Sequence, residues 1–235
     1  MLAQRQLVSG YVEGFLQRER TGPEQVGELV GTLRKLSSGP EQKNLPLLRE
    51  SIEALTRAAE SRELNAAGHG EAVGQYCEMI GRALGLEPDE ARELGFVGRV
   101  HDVGKIFIPE RVLNHEGPVP EDEFHYLRMH PRVGAEIISA LPSSERMQKA
   151  IAFHHERVDG SGYPEGLKGE DIPLWARILA VADAYVNLTT DHSLSPGKNR
   201  EQAVAELEKQ SGIKYDGMLV RVLARELKTE RSLLI

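Results

Sequence analysis

Residues 150–164 read Ala-Ile-Ala-Phe-His-His-Glu-Arg-Val-Asp-Gly-Ser-Gly-Tyr-Pro. An apolar helical run ends on two adjacent histidines, His154 and His155, and a glycine-rich turn follows at once. Consecutive residues lie about 100° apart round a helix, so the two imidazoles cannot share one face. At a helix end they can reach two points of one cluster. Gly160 and Gly162 allow a tight turn that brings backbone close to that cluster or to a partner.

Working outward, the same theme recurs twice. Upstream, Leu94, Val97, His101 and Gly104 fall on one helical face, with Asp102 beside His101 and Lys105 one turn on. Further upstream, His69 precedes Val73, Cys77, Ile80 and Leu84 at three- and four-residue steps, so it too faces inward. Downstream, Asp183 interrupts Ile178-Leu179-Ala180-Val181-Ala182-Asp183-Ala184-Tyr185-Val186. Imidazoles and carboxylates thus stand where a chain normally puts Leu or Val. Buried charge is tolerated mainly when paired or coordinated, so the conjunction points to metal ions. Taken singly, each residue has an ordinary reading. His69 could be a core histidine bonded to a carbonyl, Asp183 could pair with Arg177, and Lys105 could bridge to a nearby acid. His130, just before Pro131, is a further candidate ligand near a helix break. Glu156 and Asp159 read as caps or braces of the glycine-rich loop. His115, His125 and His192 read as solvated or structural.

Apolar spacing predicts an all-α chain with no convincing alternating strand pattern. Helices are expected over 1–18, 23–36 and 43–60, broken by Thr21-Gly22-Pro23 and Ser37-Ser38-Gly39-Pro40. More are expected over 69–85, 88–104, 120–140, 144–155, 171–190, 199–210 and 215–228, with loops at 105–119, 156–170 and 191–198. All eight histidines lie beyond residue 61. The chain therefore divides into an N-terminal helical region, 1–60, and a chemistry-bearing domain, 61–235. The first part reads as packing or dimerisation, with partner binding or sensing as the lesser alternative.

The chain has 235 residues and a net charge of -7, so no overall basic field draws it to a nucleic acid polymer. An anionic substrate would need local positive charge, which metal ions can supply. Cys77 is the only cysteine, which excludes an intrachain disulfide and argues against thiolate metal sites. No apolar run is long enough for a membrane span, and a cytoplasmic location is expected.

The order His69…His101-Asp102…His130…His154-His155…Asp183, together with H-D-V-G-K-I-F-I-P and H-H-E-x-x-D-G-x-G-Y-P, resembles the HD-GYP branch of the HD metal-dependent phosphohydrolases. The resemblance covers roughly residues 60–230. It implies an HD-type helical bundle, a multinuclear metal centre, and hydrolysis of cyclic di-GMP to linear pGpG and on to GMP. By position it implies metal ligation by His69, His101, Asp102 and Asp183, with His130, His154 and His155 as the branch's extra ligands. Asp102 matches the carboxylate that bridges two metals, and Lys105 the family lysine. Gly162, Tyr163 and Pro164 match the tripeptide that shapes a loop linked to partner contact. Two departures stand out. Asn65 occupies the place of a glutamate found in members resembling three-metal enzymes, which predicts two ions here. His192 occupies the place of an arginine suited to phosphate or guanine, which weakens substrate capture. The later F-D-P is Tyr215-Asp216-Gly217, a milder change.

Such a centre has a physical rationale. Two cations about 3.5–4 Å apart can hold a hydroxide between them and neutralise phosphoryl charge. Mixed imidazole and carboxylate ligands suit iron or manganese better than magnesium. The bridging position needs two oxygens, so Asp102 fits it. Lys105 is suited to a phosphate oxygen or a leaving group. The alternatives are a catalytically weak binding or interaction module and a phosphohydrolase for another nucleotide.

Overall fold

The computed structural model describes residues 23–37, 41–115, 117, 119–191 and 196–233. The helix expected over 1–18 and the residue His192 lie outside the described residues. Among the described residues ten α-helices follow in order: α1 Pro23–Ser37, α2 Glu41–Glu60, α3 His69–Ala83, α4 Pro88–Val100, α5 Glu110–Leu113, α6 Phe124–Ile138, α7 Glu145–Ala152, α8 Leu174–Thr189, α9 Arg200–Lys209 and α10 Gly217–Leu233. Short 3-10 turns cover Val103–Phe107 and Gly169–Asp171. Among the described residues there is no strand, only one isolated bridge between Ser211 and Tyr215. The all-α expectation holds.

One apolar core joins these helices. It runs from Leu29, Leu48 and Ile52 through Val73, Ile80, Val97 and Ile137 to Ile178, Leu207 and Leu223. α2 packs on the 103–107 turn and on α4, and α1 packs on α6. α8 is apolar on most sides, because it is buried by α3, α7, α9 and α10. Among the described residues no helix is long and apolar enough to cross a membrane.

Two details set the site. α3 and α4 cross closely, because a Cβ on Gly98 would stand 2.7 Å from the Gly74 Cα. Only hydrogen fits there, and the close crossing brings the start of α3, with His69, beside the end of α4, with His101. Second, the helix expected to continue to residue 104 stops at Val100. Gly104 lies against the His130 carbonyl, where a side chain would collide with α6. The chain therefore tightens into the 3-10 turn instead of continuing as α-helix. The expected loop over 105–119 accordingly contains most of that turn and α5. Other helix ends differ from expectation by a few residues, as fraying termini commonly do.

Candidate metal centre

Three of the histidines are aimed by the same device. His101 Nδ1 lies 2.8 Å from the Gly98 carbonyl, His130 Nδ1 2.6 Å from the Leu127 carbonyl, and His154 Nδ1 2.7 Å from the Ile151 carbonyl. A carbonyl only accepts, so each Nδ1 carries a proton and donates it there, which aims each Nε2 into the site. These carbonyls are the ones a helix leaves open. Gly98 and Ile151 lie in the last turns of α4 and α7. Leu127 lies four residues before Pro131, which has no N–H to give it.

The Nε2 atoms converge on Asp102. One carboxylate oxygen, Oδ2, lies 3.3 Å from His101 Nε2, and the other, Oδ1, lies 3.1 Å from His130 Nε2. Asp183 Oδ1 is 3.0 Å from His69 Nε2 and 3.7 Å from His101 Nε2. His155 Nε2 is 3.3 Å from His130 Nε2, and the His154 and His155 rings are 4.0 Å apart. Three overlapping groups of donor atoms result, each within a 4.8 Å span: His69, His101 and Asp183 on one side, His130, His154 and His155 on the other, and His101, Asp102 and His154 across the middle. His101, Asp102, His130 and His154 are all buried.

The buried Nε2 of His154 has no hydrogen-bond partner among the described residues. Leaving a buried polar atom unpaired costs about 1–3 kcal/mol, so the arrangement suits an electron-pair acceptor at that point. All seven residues expected as ligands come together. A histidine and carboxylate donor set of this kind fits first-row transition metals.

The electrostatics agree. Burial works against charge on Asp102, yet His101 and Lys105 hold its carboxyl well below the usual range. Burial likewise opposes charge on Asp183, which the His69 hydrogen bond and the nearby His101 keep ionised. Burial would lower His101, but Asp102 and Asp183 raise it to about 9. Burial and the neighbouring imidazoles push His154 down, and His155 down to about 3. His154 and His155 are therefore neutral, the state a ligand must have.

Around the cluster, Lys105 Nζ sits 2.9 Å from both Asp102 Oδ2 and Glu63 Oε2. The bland reading of Lys105 as an ion-pair partner is thus true, and one of its acids is at the centre itself. Arg177 binds Asp216 at 2.7 Å and the Ile172 carbonyl, and the described contacts of Asp183 are with His69, His101 and Asn187 instead. Tyr163 stacks on His155, with ring centroids 4.9 Å apart, and a cis Tyr163-Pro164 bond follows. Gly162 packs against the backbone of 155–157. Glu156 braces this loop as expected, accepting the N–H groups of Glu165, Gly166 and Leu167. Asp159 accepts the Ser161 N–H. His115 and His125 stand apart, exposed.

A family model described as HD domain matches residues 46–219. The chain belongs to the HD domain family. Within it, the chain is 38% identical over 181 residues to the cyclic di-GMP phosphodiesterase response regulator RpfG of Xanthomonas campestris, covering 75% of this chain and 47% of that protein. It is 34% identical over 188 residues to a cyclic di-GMP phosphodiesterase of Thermotoga maritima, covering 79% and 50%. Among solved structures, a cyclic GMP-AMP specific phosphodiesterase of Vibrio cholerae superposes with a TM-score of 0.60 at 25% identity, over 79% of this chain and 50% of that one. The chain spans about half the length of these relatives.

Sequence reasoning missed three contributors to this HD centre. Glu63 lies in the irregular 61–68 segment, where no periodicity flags it. Asn187 donates to Asp183 Oδ1 at 2.8 Å, a four-residue spacing on α8 that the sequence does contain. Arg62 fixes the segment by donating to the Ile106 and Ile108 carbonyls.

Proposed function

We propose that this chain is a metal-dependent phosphodiesterase acting on a cyclic dinucleotide, with cyclic di-GMP as substrate and linear pGpG as first product. The observation that carries the reading is the two-sided use of Asp102, whose oxygens face different histidine groups. In this reading His69, His101 and Asp183 would hold one ion and His130, His154 and His155 the other, with Asp102 available as a donor to both. Bound there, a pair of iron or manganese ions supplies a nucleophile from water at neutral pH and neutralises phosphoryl charge. The remaining work falls to the chain. Asp102 and Asp183 enter as carboxylates, and His154 and His155 as neutral donors. Lys105, held by Glu63, offers a positive charge to a phosphoryl oxygen or the departing alkoxide. Tyr163 and the cis-proline loop wall the site beside His155.

The names of the relatives support the substrate class, and the cyclic GMP-AMP specificity of the Vibrio protein favours a second reading, hydrolysis of cyclic GMP-AMP. Residues 1–60 are assigned to packing or dimerisation, the Gly162-Tyr163-Pro164 loop to partner contact, and the working location to the cytoplasm. The test is to count and identify metal per chain, then incubate the loaded protein with cyclic di-GMP and with cyclic GMP-AMP, resolving products by chromatography. No turnover of either at verified occupancy overturns the reading.

A further inference from the structure

A cleft of about 400 Å3 opens beside the histidine cluster, in the size range of small-molecule sites (roughly 300–1,000 Å3). His154, His155 and Asp183 form one end, and α8 and α9 form a side. Its charged groups are not equivalent. Glu156 is consumed by three backbone N–H groups, and Asp183 by His69 and Asn187. Glu206 lies near Lys209, 3.4 Å away. Two cations remain, Arg157 and Lys214. Arg157 is exposed and donates to Ser161 Oγ at 3.4 Å. Lys214 is half-buried and has no ion-pair partner among the described residues. Its backbone is pinned on both sides: its N–H donates to the Gln210 carbonyl at 2.9 Å, and its carbonyl accepts from Val158 at 3.3 Å. The turn that carries it is closed by the Gly212 N–H bonded to the Tyr215 carbonyl at 2.9 Å. An unpaired ammonium on a rigid turn, in a chain of net charge -7, lines the same cleft as the metal cluster.

We propose that Lys214, flanked by Arg157, forms a second anion subsite, which receives a phosphate group of the substrate other than the one lying over the cluster. The inference rests on the phosphodiesterase reading and deepens it, because it makes the site selective for substrates with two phosphates. A cyclic dinucleotide has two phosphodiesters, and a simple diester has one.

The test compares metal-loaded wild type with Lys214→Ala and Lys214→Arg, the folding of each checked by circular dichroism. For cyclic di-GMP, Lys214→Ala raises KM on the order of tenfold with kcat unchanged, and Lys214→Arg restores most of it. For bis(4-nitrophenyl) phosphate, which has one phosphate, neither variant differs from wild type. In parallel, calorimetry with the non-hydrolysable phosphorothioate analogue of cyclic di-GMP reads Kd without turnover and shows the same loss in Lys214→Ala. If wild type cleaves cyclic di-GMP and Lys214→Ala leaves KM and Kd within twofold, the subsite is refuted and the functional reading stands. An equal loss on the one-phosphate diester also refutes it, since Lys214 would then serve the cluster. If wild type binds the analogue in a Lys214-dependent way without cleaving cyclic di-GMP, the subsite stands and the enzymatic reading falls. If wild type neither cleaves nor binds, both fall.

Discussion

Replacing Glu156 by glutamine keeps the volume of a buried side chain and removes one of its two acceptor oxygens. Oε1 takes the N–H groups of Glu165 and Gly166 at 2.6 and 3.1 Å, and Oε2 takes that of Leu167 at 3.0 Å. Glu156 is 3% exposed, so water does not replace what is lost. In Glu156→Gln the amide oxygen can still serve the first pair, but as a neutral acceptor, and such bonds are roughly half as strong. The amide nitrogen then faces the Leu167 N–H, donor against donor, leaving a backbone group unsatisfied at about 1–3 kcal/mol. The combined loss is about 2–4 kcal/mol of unfolding free energy. The assay is urea denaturation followed by circular dichroism, comparing midpoints at constant m. The loop also carries Tyr163, so kcat on the substrate falls with the stacking on His155. A stability change within about 0.5 kcal/mol, the range of an ordinary surface substitution, would refute the bracing argument.

Asp102→Asn retains size but loses the negative charge shared by both histidine groups; metal analysis should fall from two ions per chain to one or fewer, with activity down at least about a hundredfold. Gly98→Ala drives a methyl into the Gly74 backbone, 2.7 Å away, and should cost about 1–3 kcal/mol or more in the same urea assay. In metal-free protein, His154 and His155 have native pKa values below their unfolded ones, so the native state binds fewer protons there and stability is lost as pH falls below 6.5 toward 3. His101 is raised to about 9, so its contribution is full below 6.5 and lost as pH rises toward 9. Urea midpoints measured in chelator should therefore peak near pH 6.5, and a midpoint still rising through pH 9 would contradict this balance.

What could be read in the sequence was what periodicity encodes. Apolar spacing around Val73, Val97 and Ile178 located α3, α4 and α8, and the polar residues that broke the spacing, His69, His101 and Asp183, proved to be neighbours. Periodicity is blind where geometry depends on contact between distant segments. Lys105 was expected one turn beyond His101 on the same face, just past a helix ending at 104; the chain instead tightens from residue 103, with Gly104 against α6, and Lys105 reaches back to Asp102. Glu63 carries no signal, because its partner is 42 residues away and its own segment is irregular. The role of Pro131 was half visible: His130 was noted at a break, but the helix runs through, and the missing N–H is what frees the Leu127 carbonyl for the imidazole.

The tethering of imidazoles to open carbonyls has a use beyond this chain. A histidine three residues past a carbonyl whose normal amide donor is absent is held at Nδ1 by its own local backbone. The pair is therefore a transferable unit. Inserting a proline after a histidine, or ending a helix just before one, would let a designer install a pre-aimed chelating nitrogen on any scaffold of packed helices.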